Sequence, residues 1–226
     1  MTKSLRAGGI AIAAVALGLG LAGCGSDDKQ TEATAPKETT SAPAPTTPAQ
    51  ATGPNKTIVD YIKENGIVET PVKRGDPGSP LVNLPIPPGW EDAGARAPQW
   101  AWGQIIFIDP AAAADPPTIT ALMSKLTGNV DPAKIMEFAP GEIRNLPGYQ
   151  GDGTGSGGTL GGFEAWQVGG SYMRGGVRRA IAQKTVVIPG QDALYVMQLN
   201  ADGPEPQMPA LMEATNVIDA NTTITP

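Results

Sequence analysis

The 226-residue sequence contains no histidine and a single cysteine, Cys24. Without histidine, the chain has no Ser-His-Asp or Cys-His catalytic group and no zinc site of the His-Glu-x-x-His type. With one cysteine, it has no internal disulfide and no metal site built from several thiols, so the fold depends on its hydrophobic core. We therefore predict no metal, no cofactor and no catalytic residues, and we expect that the protein is not an enzyme.

The chain also lacks an apolar run of the roughly 20 residues that a membrane-spanning helix needs. Its apolar run at residues 10–21 has only twelve residues, follows Lys3 and Arg6, and leads into Ala22-Gly23-Cys24. A short apolar run between positive charges and small residues is typical of a cleaved signal peptide. A cysteine directly after that segment matches the lipobox of bacterial lipoproteins.

We therefore predict that residues 1–23 are a lipoprotein signal peptide, cleaved between Gly23 and Cys24. The thiolate of Cys24 is a soft nucleophile that accepts a diacylglycerol group as a thioether, and the new N-terminus would be acylated. Each buried CH₂ contributes about 0.8 kcal/mol, so two or three acyl chains hold a protein firmly in a membrane. The predicted location is the extracytoplasmic face of the cell membrane, in the cell envelope.

Basic residues are scarce as well. Removal of Lys3 and Arg6 with the signal peptide leaves 14 Lys and Arg against 22 Asp and Glu, a formal net charge of −8. Such a chain is repelled by nucleic-acid phosphates and by anionic lipid head groups. Nucleic acid is therefore not expected as a partner.

Residues 25–55 contain no Val, Ile, Leu, Met or aromatic residue and are rich in Thr, Ala and Pro. This composition cannot bury enough apolar surface to offset the entropy of ordering. We predict that residues 24–55 are the lipidated cysteine and a disordered tether. Thr39, Thr40, Thr46 and Thr47 are candidate O-glycosylation sites, and an unmodified spacer fits the composition equally well.

Residues 56–226 have the length and patterning of a single globular domain. Helices are predicted from the capping box of Thr57 and Asp60, from Asp131-Pro132, and along the stripe of Met208, Leu211, Met212, Thr215 and Ile218. Strands are predicted at residues 67–72, 81–84, 99–108, 118–126, 164–172, 177–188 and 193–200. Hairpins dominate this order, which predicts an α+β fold with a mainly antiparallel sheet covered by helices.

The glycine-rich run at residues 148–162 lacks the Gly-Lys-Ser/Thr end of a phosphate-binding loop. We interpret it as a flexible connection, and Gly175-Gly176 as a two-residue hairpin turn. Trp100 and Trp102 lie two residues apart on a predicted strand and would therefore share one face. They belong either to the core or, together with Met173, to an adaptable apolar groove for acyl chains or sugar rings.

Many short strings resemble those of one family in the same order. They include Thr57-Ile-Val-Asp-Tyr-Ile62, Val130-Asp-Pro-Ala-Lys134, Phe138-Ala-Pro-Gly-Glu142, Gln183-Lys-Thr-Val-Val-Ile-Pro189 and Thr222-Thr-Ile-Thr-Pro226. Together with the lipobox and tether, they resemble the LpqN/LpqT lipoproteins of mycobacteria over essentially the whole chain. The resemblance implies a PsbP-like fold, with an antiparallel sheet between helices, and lipid or glycolipid handling beside mycolate-export machinery. It implies no reaction, and the two tryptophans are not part of it.

Three hypotheses about function follow. In the first, the protein is a non-enzymatic binder of a lipid or glycolipid, or an accessory factor in envelope (mycolate) lipid assembly. In the second, it is a docking module for envelope or secretion proteins and binds no small molecule. In the third, a pair of carboxylates from distant parts of the chain forms a hydrolase site. An apolar cavity of a few hundred Å³ would favour the first hypothesis, and a filled core the second.

Overall fold

The computed structural model describes residues 53–226. In chain order they form α1 (Ile58–Glu64), β1 (Val68–Pro71), β2 (Leu81–Asn83), β3 (Trp90–Asp92), β4 (Gly103–Phe107), β5 (Thr118–Thr127), α2 (Pro132–Phe138), α3 (Gly141–Arg144), β6 (Ser156–Leu160), β7 (Phe163–Arg174), β8 (Val177–Pro189), β9 (Leu194–Pro204), α4 (Met208–Asn221) and β10 (Thr223–Thr225). The predicted α+β class is confirmed.

Eight strands form one antiparallel sheet in the order β3-β4-β5-β9-β8-β7-β6, and β1 pairs with the second half of β5. The predicted hairpin turn at Gly175-Gly176 joins β7 to β8, and both glycines have positive φ, 59° and 81°. The remaining strands, β2 and β10, pair with each other in a separate two-stranded sheet. Strands that follow one another in sequence are mostly neighbours in the sheet, as the hairpin pattern predicts.

Helices cover both faces of the large sheet. On one face, α4 buries Leu211, Ala214 and Ile218 in the main core, which includes Met197 and Val186 of the central strands. On the other face, α1 and α2 pack over β5, β8 and β9, and α3 packs over β7 and β8. Helices therefore lie on both faces of the sheet, as predicted.

Local sequence explains where the helices begin. The Thr57 hydroxyl accepts a hydrogen bond from the Asp60 backbone N–H (3.2 Å), and the Asp60 carboxylate accepts one from the Thr57 backbone N–H (2.9 Å). The Asp131 carboxylate caps α2 by accepting a hydrogen bond from the Ala133 N–H (2.9 Å), and Pro132 occupies the first helical position. Pro140 separates α2 from α3, because its ring is incompatible with a continuous helix.

Three short strands were not predicted, namely β3, β6 and β10. β6 lies within the glycine-rich run that we interpreted as a flexible connection, and five of its residues pair with β7. Its sequence, Ser-Gly-Gly-Thr-Leu, has low strand propensity. Pairing with a long neighbour therefore outweighs local preference in this strand.

Candidate functional site

A cleft of about 710 Å³ opens on the sheet face that carries α1 and α3. We call it the sheet cleft. Its floor consists of β4, β5, β9 and β8, its apolar wall comes from α1 and α3, and its far end is formed by charged side chains beside the β7–β8 hairpin. The cleft exists because α1 to α3 cover only part of this face of the sheet.

A row of polar side chains crosses the floor. Gln104, Thr120, Asn200 and Gln183 occupy facing positions on four adjacent strands, so that they lie side by side on the same face. Gln104 Nε2 donates to Thr120 Oγ1 (2.8 Å), and Gln183 Nε2 donates to Asn200 Oδ1 (3.0 Å). Gln198 lies two residues before Asn200 on β9, therefore on the same face, and also lines the cleft. Amide side chains with this arrangement offer both donors and acceptors to a ligand.

One atom of this row has no partner. Gln183 is only 3% exposed, and its Nε2 donates to Asn200 and to Glu142 (3.2 Å). Its Oε1 is buried and accepts no hydrogen bond within residues 53–226. A buried acceptor left unpaired costs about 1–3 kcal/mol. A ligand that donates a hydrogen bond to Gln183 would remove this cost.

Ion pairs close the far end of the cleft. Arg179 is 3% exposed and forms ion pairs with Asp202 and Asp115. Its Nε donates to Asp202 Oδ1 (2.8 Å), and the Tyr172 hydroxyl donates to Asp202 Oδ2 (2.5 Å). Burial raises the pKa of Tyr172 to about 12, and the hydrogen bond to Asp202 adds to this effect. Burial alone would lower the pKa of Arg179, but its bonds to Asp202 and Asp115 outweigh that effect and raise it.

Tyr172 and Arg179 are cross-strand neighbours on β7 and β8. The three arginines around the hairpin do not form a common basic patch, however, because successive residues of a strand point to opposite faces. Arg179 is buried on the cleft side, whereas Arg178 donates to Ser171 Oγ (3.1 Å) on the α4 side. Arg174 is exposed and lies 3.5 Å from Asp202.

The apolar part of the cleft comes from the helices and from β5. The side chains concerned are Ile58, Ile62, Ile143, Leu146 and Leu122. Trp100 also lines the cleft and is half-buried. The cleft thus combines an apolar wall with a polar floor.

The prediction that Trp100 and Trp102 share one strand face is wrong. β4 begins only at Gly103, and a turn in which the Ala101 N–H donates to the Pro98 carbonyl (2.9 Å) precedes it. This turn interrupts the alternation of side chains. Trp102 belongs to the main core on the opposite side of the sheet, and the Arg74 guanidinium lies 4.6 Å from its ring centroid.

Met173 lies on the face of β7 opposite Tyr172, and its backbone N–H donates to the Pro147 carbonyl (2.8 Å). It lines none of the cavities described in residues 53–226. Of the three candidate ligand-binding residues, only Trp100 is therefore placed at the cleft.

The predicted cleavage, lipidation and O-glycosylation sites all lie before residue 53. Gly23, Cys24 and the four threonines Thr39, Thr40, Thr46 and Thr47 lie outside the described residues. Between residues 53 and 226, no helix is long and apolar enough to cross a membrane. The same part of the chain contains no group of three or more acidic side chains placed to hold a metal ion.

Sequence reasoning missed the polar floor. Its signal was present in β5 and β9, where Thr120, Gln198 and Asn200 each stand between two apolar residues. A polar residue at an inward position of a central strand indicates either a satisfied core network or a site. The distinction needed the position of the helices, which leave this part of the face open.

Comparison with known proteins agrees with the fold and with the family strings. The family model described as "Probable lipoprotein LpqN" matches residues 54–225. Lipoprotein LpqN of Mycobacterium tuberculosis (strain ATCC 25618 / H37Rv) is 54% identical over 236 residues, which cover 96% of this chain and 97% of the relative.

A crystal structure described as LpqN involved in cell envelope biogenesis of Mycobacterium tuberculosis is 58% identical, with a TM-score of 0.73, over 77% of this chain and 100% of the crystallised one. Because the family model and this identity both extend across the described residues, the chain belongs to the LpqN lipoprotein family.

Proposed function

We propose that this protein is a lipid-anchored component of the cell envelope that binds an acylated glycolipid without changing it chemically, and that it thereby assists envelope (mycolate) lipid assembly. The observation that carries the proposal is the sheet cleft of about 710 Å³, in which an apolar wall faces a floor of side-chain amides. Small-molecule sites commonly measure about 300–1,000 Å³. An amphiphile is the class of ligand that uses both surfaces.

The apolar wall suits an acyl chain. Ile58 and Ile62 come from α1, Ile143 from α3, Leu146 from the turn that follows α3, and Leu122 from β5. Burial of a hydrocarbon chain against these side chains is favourable by about 0.8 kcal/mol per CH₂. Ten methylenes would therefore supply several kcal/mol towards binding, after the cost of association.

The polar floor suits hydroxyl groups. A sugar hydroxyl both donates and accepts hydrogen bonds. The row from Gln104 to Gln183 presents both amide N–H donors and amide carbonyl acceptors. The buried Gln183 Oε1 needs a donor, which a hydroxyl supplies. A lipid with only carbonyl and ether oxygens in its head group would leave this acceptor unpaired.

Charge in the cleft supports an uncharged head group. Four acidic side chains line it, namely Glu69, Glu142, Asp115 and Asp202, against the two arginines Arg174 and Arg179. Both arginines already contact Asp202. An anionic phosphate in this cleft would therefore meet an excess of negative charge. The relative described as involved in cell envelope biogenesis supports a role of the same kind.

The test is native mass spectrometry of the mature chain, residues 24–226, carrying Cys24→Ser so that it stays soluble. We expect binding of a synthetic acyl trehalose and no binding of phosphatidylglycerol. Leu122→Trp, which fills the cleft, should lower the bound fraction at least about tenfold. Leu81→Trp is the matched control, because Leu81 is exposed on β2.

Absence of binding by the unmodified sequence, or equal binding by Leu122→Trp, would refute glycolipid binding in this cleft. Release of free fatty acid or free sugar during incubation would refute the non-enzymatic part of the proposal and favour the carboxylate hydrolase.

A further inference from the structure

A second groove lies on the opposite face of the sheet, along one side of α4. It consists of two adjoining cavities of about 430 and 380 Å³ that share lining residues on β7, β8, β9 and α4. We call it the α4 groove. Its floor contains Gly169, Ala182 and Ala201, which face one another across the three strands. The sheet cleft and the α4 groove are separated by the sheet itself.

The groove is a gap in the helical layer. Ala182 is exposed although β8 is a central strand between β9 and β7. Met212 on α4 is 59% exposed beside it, whereas Leu211 and Ile218 of the same helix are buried in the core. The sheet thus has uncovered apolar surface at its middle, where a central strand is normally covered.

The groove follows α4 for most of its length. Met208, Met212, Thr215 and Asp219 line it, and their spacing of three or four residues places them on one flank of the helix. The eleven residue-to-residue steps from Met208 to Asp219 correspond to about 17 Å, or three turns. A second helix laid beside α4 at the usual 8–10 Å would lie over this floor.

The groove carries negative charge in both halves. Glu205 lines the half beside the start of α4, and Asp152 lines the half beside its end. Lys184 is neutralised by an ion pair with Asp219 (2.6 Å). The Asp152 carboxylate accepts from backbone N–H groups of the neighbouring loop. Among residues 53–226, no Lys or Arg forms an ion pair with Asp152 or Glu205, so these two negative charges on the groove walls are not balanced there.

We propose that the α4 groove binds a helix of a partner protein, about three turns long, with an apolar face and basic residues near both ends. The charges decide between occupants. An acyl chain has no positive charge and no hydrogen-bond donor for Glu205 or Asp152, and the two carboxylates would repel an anionic phospholipid. A helix with Lys or Arg near both ends would place one cation beside each carboxylate and its apolar side chains on Ala182 and Met212. The protein would then hold its ligand on one face of the sheet and its partner on the other.

The probe is a synthetic amphipathic helical peptide of leucine and lysine, about three turns long, titrated into the mature chain with Cys24→Ser. We expect saturable binding that shifts the amide resonances of Gly169 and Ala182 and leaves those of the sheet cleft unchanged. Ala182→Leu should weaken binding at least about tenfold, because the new side chain fills the floor. Ala133→Leu, at an exposed position of α2, is the matched control.

The charge requirement is tested separately. Asp152→Asn combined with Glu205→Gln should weaken binding about threefold to tenfold at low salt, since exposed ion pairs contribute about 0.2–1 kcal/mol each. Asn keeps the acceptor for the loop N–H groups. Glu91→Gln with Glu137→Gln changes the net charge equally on other surfaces and should have little effect.

Equal peptide affinity for the Ala182→Leu and Ala133→Leu variants would overturn the proposal, and so would displacement of the peptide by a neutral alkyl glycoside that shifts the same resonances. If Ala182→Leu has a lowered melting temperature, Met212→Lys replaces it, because Met212 is largely exposed and the added cation should also block the peptide. Glycolipid binding in the sheet cleft is measured in the same variants and is expected to be unchanged, so the two proposals fail independently.

Discussion

Gln183 and Tyr172 show how single buried polar groups shape the sheet cleft. Gln183 lies buried in a central strand and donates two hydrogen bonds, and its side-chain carbonyl oxygen has no hydrogen-bond donor within residues 53–226. Tyr172, at the charged end, holds its proton more tightly than an exposed tyrosine. Both residues occupy positions that an apolar side chain would fill more favourably if stability alone mattered.

For ligand binding, Gln183→Leu is the most direct substitution at this scale. It removes the unpaired acceptor and keeps a side chain of similar volume, so acyl trehalose affinity should fall about tenfold or more, as expected for the loss of a buried hydrogen bond. Gln167→Leu, at an exposed position on the other face of β7, is the control. Isothermal titration of both variants measures the difference, and equal affinities would show that Gln183 does not contact the ligand.

For stability, Tyr172 predicts a specific dependence on pH. Its pKa is raised from 10.0 to about 12, so the folded state favours the neutral phenol. This contribution to the free energy of unfolding is complete below about pH 10 and is lost as the pH rises towards 12. Urea unfolding of Tyr172→Phe should therefore show a smaller decrease in that range than the unmodified protein. Identical slopes for the two proteins would contradict the shifted pKa.

At the scale of elements, the wall of the cleft depends on how the start of α1 crosses α3. Asn145 Oδ1 accepts from the Asn55 backbone N–H (3.1 Å), and Asn145 Nδ2 donates to the Asn55 carbonyl (2.8 Å). A Cβ atom at Gly141 would lie 2.1 Å from the Lys56 carbonyl oxygen, so only glycine permits this crossing. The segment that leads into the domain is thus fastened to the same helix that lines the cleft.

Gly141→Ala should therefore separate α1 from α3. We expect a loss of about 1–3 kcal/mol in the free energy of unfolding, typical of overpacking at a close contact, together with weaker glycolipid binding. Gly158→Ala on β6 is the control, because no atom lies within 4 Å of the added Cβ. Chemical denaturation of both variants tests the expectation. Equal stability would mean that the crossing relaxes without cost.

Elements differ in how well local sequence predicts them. The starts of α1 and α2 follow from Thr57 and Asp131, because N-caps are local hydrogen bonds. Local sequence does not predict β6, because this strand depends on pairing with β7. It does not predict the start of β4 either, because that start depends on the turn at Pro98. The stripe predicted along α4 was only partly right: Met212 falls on the groove flank, and Ala214 takes a place in the core instead.

At the scale of the whole molecule, the proposed function needs both the anchor and the cleft. The anchor would bring the cleft close to the membrane that contains its ligand, and the α4 groove would remain available to a partner. Neither ligand binding in the sheet cleft nor partner binding in the α4 groove requires a chemical reaction. The protein is in this view a carrier or adaptor, whose activity is measured by binding and by location.

Cys24→Ser should release the processed protein from the membrane, because it removes the thiol that would carry the diacylglycerol group. In cells, we expect the unmodified chain in the detergent phase of a phase-separation assay, and we expect variant chains that have lost residues 1–23 in the aqueous phase. Lys29→Ser, in the same predicted tether, is the control and should leave partitioning unchanged. Detergent-phase recovery of Cys24→Ser chains that lack residues 1–23 would show that lipidation at this residue is not the anchor.

The sequence by itself determined the features that depend on composition or on neighbouring residues. It offered no histidine for catalysis or metal binding, predicted the antiparallel α+β class, and placed the first two helix starts. Only the tertiary structure decided which polar residues form a site, because Gln104, Asn200 and Gln183 come from three separate strands and meet through register. It also decided that Trp102 is core and Trp100 is not. Burial depends on where the helices lie over the sheet, which is a property of the packed molecule and not of any local segment.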